Sequence, residues 1–180
     1  MRSDIIKVGA DKTPHRAILK SLGVTDSEMG RPFIAVVCAA SDYVPGHQHL
    51  HEISRYVKDG IRNAGGVPFE FFTIGVCDGV AMNHKGMRYS LASRELIADS
   101  IEVMLTAHPL DGVVFIPNCD KIVPGMVLAA SRMNLPAIFI SGGPMNPGCV
   151  QGKRVGYSEI YEAIGQFTSG EITEDVLRGY

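Results

Sequence analysis

The amino-acid sequence predicts an α/β fold, a layered domain in which a mainly parallel central sheet is flanked by helices. From Pro32 onward, short apolar runs alternate with amphipathic stretches, which is the pattern of strands joined by crossover helices. The chain has 180 residues, 46% of them hydrophobic, enough to bury one core of ordinary size. No internal repeat or low-complexity linker divides it, so we expect one domain over residues 1–180.

The first predicted strand and helix lie between residues 33 and 66. Residues 33–38 form a continuous apolar run that ends in a polar loop at Ser41, as a buried strand does. Apolar side chains then recur at helical spacing, at Leu50, Ile53, Val57 and Ile61. The glycines at 65 and 66 supply the backbone freedom that commonly ends a helix.

The second strand is predicted at 69–76, because this run is rich in aromatic and β-branched residues and stops at an acidic turn. A helix should begin near Ser90, whose hydroxyl is expected to accept a backbone N–H at the helix cap. Its apolar face is formed by Ile97, Ile101, Met104 and Leu105. This helix should end before Pro109.

The third strand is predicted at 112–117 and leads through a polar turn into another helix. Pro124 suits the first turn of that helix. A fourth strand is expected at 137–140, ending at the glycine pair 142–143. Two more helices are expected, at about 157–166 and 171–177.

Composition and charge exclude several classes of protein. The 17 basic and 19 acidic side chains give a net charge of -2, too even for a polyanion-binding surface, so nucleic acid is not expected as a partner. No apolar run approaches the roughly 20 residues of a membrane helix, and no signal peptide begins the chain, so we expect a soluble cytoplasmic protein without membrane contact. Neither a phosphate-binding glycine motif nor a serine-hydrolase elbow is present.

Two polar loops carry the same pair of residues, a cysteine followed directly by an aspartate. The pairs are Cys77-Asp78 and Cys119-Asp120, and each follows an apolar run. The carboxyl ends of parallel strands share one edge of a sheet, where ligands usually bind. Because carboxylates suit magnesium and thiolates suit zinc or iron, one interpretation is a divalent cation beside a cluster. The alternative is small buried thiols and turn-forming aspartates.

Lys121 follows Asp120 directly, and its role is open on chemistry alone. The ammonium group could pair with Asp78 or Asp120, or attract an anionic substrate. A reaction with carbon dioxide would instead convert it to a carbamate, which is a metal ligand.

The histidines do not form an obvious metal site. His47, His49 and His51 are spaced two apart near a helix start, so they point in different directions and cannot easily converge on one ion. His47 is the best candidate to face the loop edge. His84 lies in a polar loop, where it could meet an anionic ligand or simply hydrogen-bond at the surface.

Five motifs in order resemble those of the dihydroxy-acid dehydratase and 6-phosphogluconate dehydratase family. They are VPGH at 44–47, CDGVAM at 77–82, YSLASRE at 89–95, NCDKIVPGM at 118–126 and SGGPM at 141–145. The resemblance covers almost the whole chain, since MRSD at 1–4 and TPHR at 13–16 also look like the family's N-terminus. Within the family, the dihydroxy-acid branch of branched-chain amino-acid synthesis is the most similar, and a sugar-acid dehydratase is the alternative.

The resemblance implies roles for individual residues. Cys119 matches the family cysteine that ligates an iron–sulfur cluster, and Asp78 and Asp120 match the aspartates that bind Mg²⁺. Lys121 matches a lysine that is carbamylated and joins them as a metal ligand and catalytic residue. The family reaction removes water from a 2,3-dihydroxy acid to give a 2-oxo acid through an enol. The implied partners are this small-molecule substrate and a second copy of the chain in a homodimer.

The sequence departs from the family at several positions. Members with a two-iron cluster often have Pro-Cys-Asn where this chain has Pro45-Gly46-His47, so one cluster ligand is absent. Cys77 is a candidate replacement and would favour a 4Fe–4S cluster over a 2Fe–2S cluster. Cys38 stands where the family usually has asparagine and is expected to be inert, and Cys149 is expected to be structural.

Length is the largest departure, because family enzymes are several times longer than 180 residues. The resemblance therefore implies an N-terminal iron–sulfur and magnesium-binding domain without the C-terminal domain that carries a serine base. We expect the isolated chain not to turn over substrate. A noncatalytic fragment, or a subunit that needs a partner chain, is the alternative from a different functional class.

Overall fold

A parallel sheet organises the first part of the molecule. The computed structural model describes residues 1–180, which divide into two units, Met1–Gly143 and Pro144–Tyr180. The strands of the first unit are β1 (Phe33–Cys38), β2 (Val67–Phe72), β3 (Gly112–Ile116) and β4 (Ala137–Phe139). Their order is β2-β1-β3-β4, and all neighbouring strands are parallel. This architecture confirms the predicted α/β fold with a mainly parallel sheet and helices around it.

The helices alternate with these strands, apart from three short ones at the N-terminus. Before β4 the chain forms α1 (Asp4–Lys7), α2 (Thr13–Ser21), α3 (Asp26–Met29), α4 (Leu50–Asn63), α5 (Asp78–Ala81), α6 (Met87–Ala107) and α7 (Ile122–Met133), with 3-10 turns at Ala10–Lys12 and Pro45–His47. None of the helices has the length and apolar character needed to span a bilayer. The predicted helices after β1, β2 and β3 are all present.

The core lies around the two central strands, β1 and β3. Phe33 of β1 and Phe115 of β3 are almost completely buried, and so are Ile97 and Leu105 of α6. Burying one such side chain stabilises the fold by roughly 1.5–3 kcal/mol relative to leaving it in water. The apolar periodicity that predicted α6 therefore corresponds to the face that packs in the core.

Gly125 allows α7 to lie directly against α6. A Cβ atom at this position would lie 2.9 Å from the carbonyl oxygen of Arg94 and 3.0 Å from Cγ2 of Ile97. Real side chains do not tolerate such distances to backbone, so only glycine permits this approach. The close packing brings the first turn of α7 next to the part of α6 around Arg94 and Ile97.

The second strand is shifted relative to its prediction at 69–76. It spans Val67–Phe72, because its partner β1 ends at Cys38, which pairs with Phe72. One further hydrogen bond, from the Thr73 amide to the Cys38 carbonyl at 3.1 Å, closes the ladder. Residues 73–77 then leave the sheet despite their β-branched composition.

The predicted cap role of Ser90 is wrong. Helix α6 begins at Met87, and Gly86 occupies the cap position without a side-chain hydrogen bond. Ser90 lies one turn inside the helix, with 1% of its surface exposed. Its hydroxyl is therefore available for a contact outside the helix.

The second unit contains a hairpin that the sequence did not predict. Its strands are β5 (Gly148–Val150) and β6 (Lys153–Val155), joined by Gln151 and Gly152, which both have positive φ angles of 49° and 78°. Positive φ at both central residues is typical of a type I′ turn. Helices α8 (Tyr157–Thr168) and α9 (Glu174–Leu177) follow, near the predicted positions.

Candidate metal centre

The loops at the carboxyl edge of the sheet are tied to one another by polar contacts. The side-chain amide of Asn118, in the loop after β3, donates to the carbonyls of Gly46 at 2.8 Å and Gly143 at 3.0 Å. Nε2 of His49 lies 2.8 Å from the carbonyl oxygen of Gly142. The loops that follow β1, β3 and β4 are thus held together around Asn118, the residue before Cys119.

Gly142 is required by this arrangement. A Cβ atom there would lie 2.6 Å from Cδ2 of Leu50 and 3.1 Å from both Nδ2 of Asn118 and Nε2 of His49. Any larger residue would push these groups apart. The glycine pair that predicted the end of β4 therefore also permits the loops to meet.

Asp78 is the first residue of α5, and both of its carboxylate oxygens accept hydrogen bonds. The hydroxyl of Ser90 donates to Oδ1, and Nζ of Lys121 donates to Oδ2 at 2.9 Å. The Asp78 side chain is 18% exposed. Burial opposes ionisation, but the hydrogen bonds from Ser90 and Lys121 outweigh it and lower the pKa of Asp78. The carboxylate is therefore charged and fixed at both oxygens.

Lys121 stands between two carboxylates at the residue before α7. Its ammonium group also donates to Asp120, whose side chain is 67% exposed. The hydrogen bonds to Asp120 and then to Asp78 raise the pKa of Lys121. Two anionic oxygens thus converge on a single positive charge, and carboxylate oxygens are also the ligands that hard divalent cations prefer.

The two predicted cluster cysteines share this electrostatic environment. Cys119 is half-buried and adopts a left-handed backbone conformation with φ of 65°. Burial raises the pKa of its thiol, and the negative charges of Cys77, Asp78 and Asp120 raise it further. Cys77, also half-buried, precedes α5 at its cap position. A thiol with a raised pKa, such as that of Cys119, is protonated and poorly reactive until a metal replaces the proton.

The structure brings part of the predicted site into direct contact. Asp78, Asp120 and Lys121 form one hydrogen-bonded group, and Cys77 and Cys119 are the chain neighbours of the two aspartates. No three His, Cys, Asp or Glu side chains are already arranged around a common point as metal ligands. The chemical nature of these side chains fits both Mg²⁺ and an iron–sulfur cluster, because hard carboxylates and soft thiols lie side by side.

The histidines do not converge, as predicted from their spacing. His47 is completely buried instead of facing the loop edge, and its Nδ1 lies 2.5 Å from the carbonyl oxygen of Ala39. Burial lowers the pKa of His47, which favours the neutral ring. His51 packs against the ring of Phe72, and His84 contacts the backbone of its own loop.

The remaining cysteines differ from each other. Cys38 is fully buried and packs in the core. Cys149 lies exposed on β5, so the prediction that it packs in the structure is wrong. Cys149 lies in the unpredicted hairpin, where Val150 and Val155 are half-buried but Cys149 is exposed.

Comparisons with known proteins show what the chain is similar to. A family model described as "Dihydroxy-acid/6-phosphogluconate dehydratase N-terminal" matches residues 31–180. Proteins named dihydroxy-acid dehydratase are similar to the whole chain. The one from Carboxydothermus hydrogenoformans is 60% identical over 180 residues, covering 100% of this chain and 32% of the relative. Those from Moorella thermoacetica and Methanosarcina barkeri are 60% and 57% identical over 98% and 99% of this chain, each match covering 32% of the relative.

Proposed function

This chain belongs to the dihydroxy-acid/6-phosphogluconate dehydratase family, and on that premise we propose that it forms the metal- and cluster-binding part of a dihydroxy-acid dehydratase. The chain spans about a third of the length of the curated relatives it matches, 32% in each case. We therefore propose the dehydratase activity for a longer protein, to which these residues would contribute metal and cluster ligands. Relatives that carry the name dihydroxy-acid dehydratase support this choice within the family.

The observation that carries the proposal is the position of Lys121 between Asp78 and Asp120. The three residues come from loops after two different strands, yet they meet in one hydrogen-bonded group. A buried or half-buried cluster of charges with shifted pKa values is a common property of functional sites. A simple surface ion pair would not need an aspartate held at both oxygens.

Asp78 and Asp120 would hold Mg²⁺, and Cys119 would hold an iron–sulfur cluster, with Cys77 as a second cysteine ligand. When bound, these groups would supply Lewis-acid stabilisation of negative charge on the substrate and of the departing hydroxyl. The loop bonds made by Asn118 would keep Cys119 in place, since they hold the adjoining chain against Gly46 and Gly143. With two cysteines in place, a 4Fe–4S cluster is the form we propose.

Lys121 would change its charge when the cation binds. Its raised pKa keeps it an ammonium group while only carboxylates surround it. That ammonium group would repel Mg²⁺, whereas a carbamate on the same nitrogen would be an anionic ligand. Carbamate formation needs the neutral amine, so we propose that carbon dioxide uptake at Lys121 and cation binding favour each other.

The proposed reaction removes water from a 2,3-dihydroxy acid. The proton on the second carbon leaves to a base, the hydroxyl on the third carbon departs, and the resulting enol converts to a 2-oxo acid. Asp78, Asp120 and the carbamate of Lys121 would hold the cation. The positive charge of that cation would attract the substrate carboxylate. We propose that this step belongs to valine, isoleucine and leucine synthesis, in a cytoplasmic homodimer.

The test is dehydration by the complete protein, prepared without oxygen and analysed for iron, sulfide and magnesium. We expect conversion of 2,3-dihydroxy-3-methylbutanoate to its 2-oxo acid, and at least a hundredfold loss in the Asp78→Ala variant, as for removal of a charged metal ligand. Faster turnover of gluconate would identify a sugar-acid dehydratase instead. Absence of bound metal, with neither substrate converted, would favour a noncatalytic module.

The carbamate has a separate test. Affinity for Mn²⁺, used as a spectroscopic substitute for Mg²⁺, should rise when bicarbonate is added to the wild-type protein. The Lys121→Arg variant keeps the positive charge but cannot form the same carbamate, so its affinity should be independent of bicarbonate. Equal bicarbonate dependence in both proteins would contradict the proposed role of Lys121.

A further inference from the structure

We infer that Ser90 is a positioning residue for the cation site, which selects the orientation of the Asp78 carboxylate. The inference rests on the proposed cation-binding function of Asp78. Ser90 was not among the residues predicted for the site, because its spacing indicated only a helix cap. Its assignment comes from the contact that its hydroxyl makes.

The hydroxyl of Ser90 donates to Oδ1 of Asp78, while Lys121 contacts Oδ2 of the same carboxylate. Ser90 is 1% exposed, so water does not compete for this bond. The two donors approach different oxygens, since Ser90 lies in α6 and Lys121 lies just before α7. The carboxylate therefore has one oxygen reserved for Ser90 and the other turned toward Lys121 and Asp120.

Among the other serines inside helices, Ser54 of α4 also donates to a carboxylate of a separate element, that of Glu70 on β2. Four more donate to a backbone carbonyl three or four residues earlier in their own helix, namely Ser21, Ser93, Ser100 and Ser131. Such bonds within the helix are the usual way to satisfy a serine hydroxyl there. Ser90 instead donates to a side chain of a separate element. Its hydroxyl is thus directed toward Asp78 instead of toward a backbone carbonyl of its own helix.

The backbone around Ser90 holds this direction. The turn of α6 that follows Ser90 packs against α7 at Gly125, where a Cβ atom would meet the Arg94 carbonyl and Ile97. Because Lys121 precedes α7, the same packing sets the distance between the two donors of Asp78. Partners that orient metal-binding carboxylates in this way typically change metal affinity by 10–100-fold when removed.

The experiment measures Mn²⁺ affinity by electron paramagnetic resonance in bicarbonate buffer, on the full chain. We expect Ser90→Ala to weaken binding by about 10–100-fold, because Asp78 can then rotate. Ser90→Thr keeps a hydroxyl on the same carbon and should retain most of the affinity. The matched control is Ser93→Ala, which removes a buried hydroxyl of the same size from the same helix and should leave the affinity close to that of the wild type.

The outcomes separate the inference from the function on which it rests. Thermal unfolding in the presence of a chelator gives the stability of each variant, and Ser90→Ala and Ser93→Ala should be similar in this measurement. If Ser90→Ala binds Mn²⁺ like the wild type, or if both alanine variants weaken binding equally, Ser90 has no positioning role. If the wild type binds no more Mn²⁺ than Asp78→Ala, the cation site itself is absent and both proposals fail.

Discussion

The two cysteine–aspartate loops have the same dipeptide but different structures. In the first, Cys77 has an extended backbone, and Asp78 is half-buried with both oxygens bonded. In the second, Cys119 has a left-handed backbone, and Asp120 is mostly exposed with a bond to Lys121. One loop therefore holds its carboxylate rigidly, and the other leaves its carboxylate able to adjust.

This difference indicates a division of work within one site. In the proposed site, the fixed carboxylate of Asp78 would define where the cation binds, whereas the exposed carboxylate of Asp120 would have room to adjust if Lys121 formed a carbamate. In the second loop the strained residue is the cysteine, since φ of 65° is unfavourable for a side chain with a Cβ atom. Strained residues of this kind are often found at functional sites.

The largest expected effect concerns the cysteines. After anaerobic reconstitution, Cys119→Ser should lose essentially all bound iron and sulfide, since hydroxyl is a poor ligand for iron in clusters. Cys77→Ser should retain less iron than the exposed-cysteine control, Cys149→Ser. Iron and sulfide analysis measures all three variants. Full iron content in Cys77→Ser would restrict the cluster site to the second loop.

A smaller effect is expected from exchanging the aspartates in the metal-free chain. Asp78→Asn should lower the free energy of unfolding by about 1–2 kcal/mol, because it weakens charge-assisted bonds to a half-buried group. Asp120→Asn removes an exposed carboxylate and should change stability by less than about 0.5 kcal/mol. Urea unfolding without metal compares the two, and equal losses would contradict the difference in rigidity.

The pH dependence follows from the lowered pKa of Asp78. A carboxyl group whose pKa is lower in the folded state stabilises the fold above its unfolded pKa, about 3.9, and loses this effect as pH falls through the folded value. The stability difference between wild type and Asp78→Asn should thus be constant near neutral pH and shrink below about pH 4. A difference that grows on acidification would show that the sign of the shift is wrong.

The smallest expected effect is the change in stability when glycine replaces each of the two cysteines. Cys119→Gly should stabilise the metal-free chain by up to about 1 kcal/mol, because glycine adopts a positive φ without strain. Cys77→Gly should destabilise it by about 0.5–1 kcal/mol. The extended backbone of Cys77 suits any residue, so glycine there relieves no strain and only adds conformational freedom to the unfolded chain. Thermal unfolding of both variants gives the comparison, and shifts of the same sign would contradict it.

Much of the fold was predictable because strand and helix periodicities were strong. The run at 33–38 and the apolar stripe from Leu50 gave a strand and a helix in the right places, and the family resemblance is confirmed by the match over residues 31–180. The end of β2 was not predictable, because it depends on where its partner β1 stops. The hairpin was missed because its strands have three residues each.

The site was only partly predictable for a similar reason. Asp78, Asp120 and Lys121 stood out through a repeated dipeptide and through their place after strands. The contact from Ser90 depends instead on how α5 lies against α6, which brings Asp78 next to the first turns of that helix. Such a contact links residues twelve positions apart through tertiary packing, and no local pattern encodes it.

The ion pairs of Lys121 also affect how the two cysteine–aspartate loops can close. Two carboxylates placed together without a counter-charge would repel each other and oppose folding. Because the chain carries its own cation between them, the loops can close before any metal ion arrives. Closure of these loops would therefore not depend on the supply of the proposed cation.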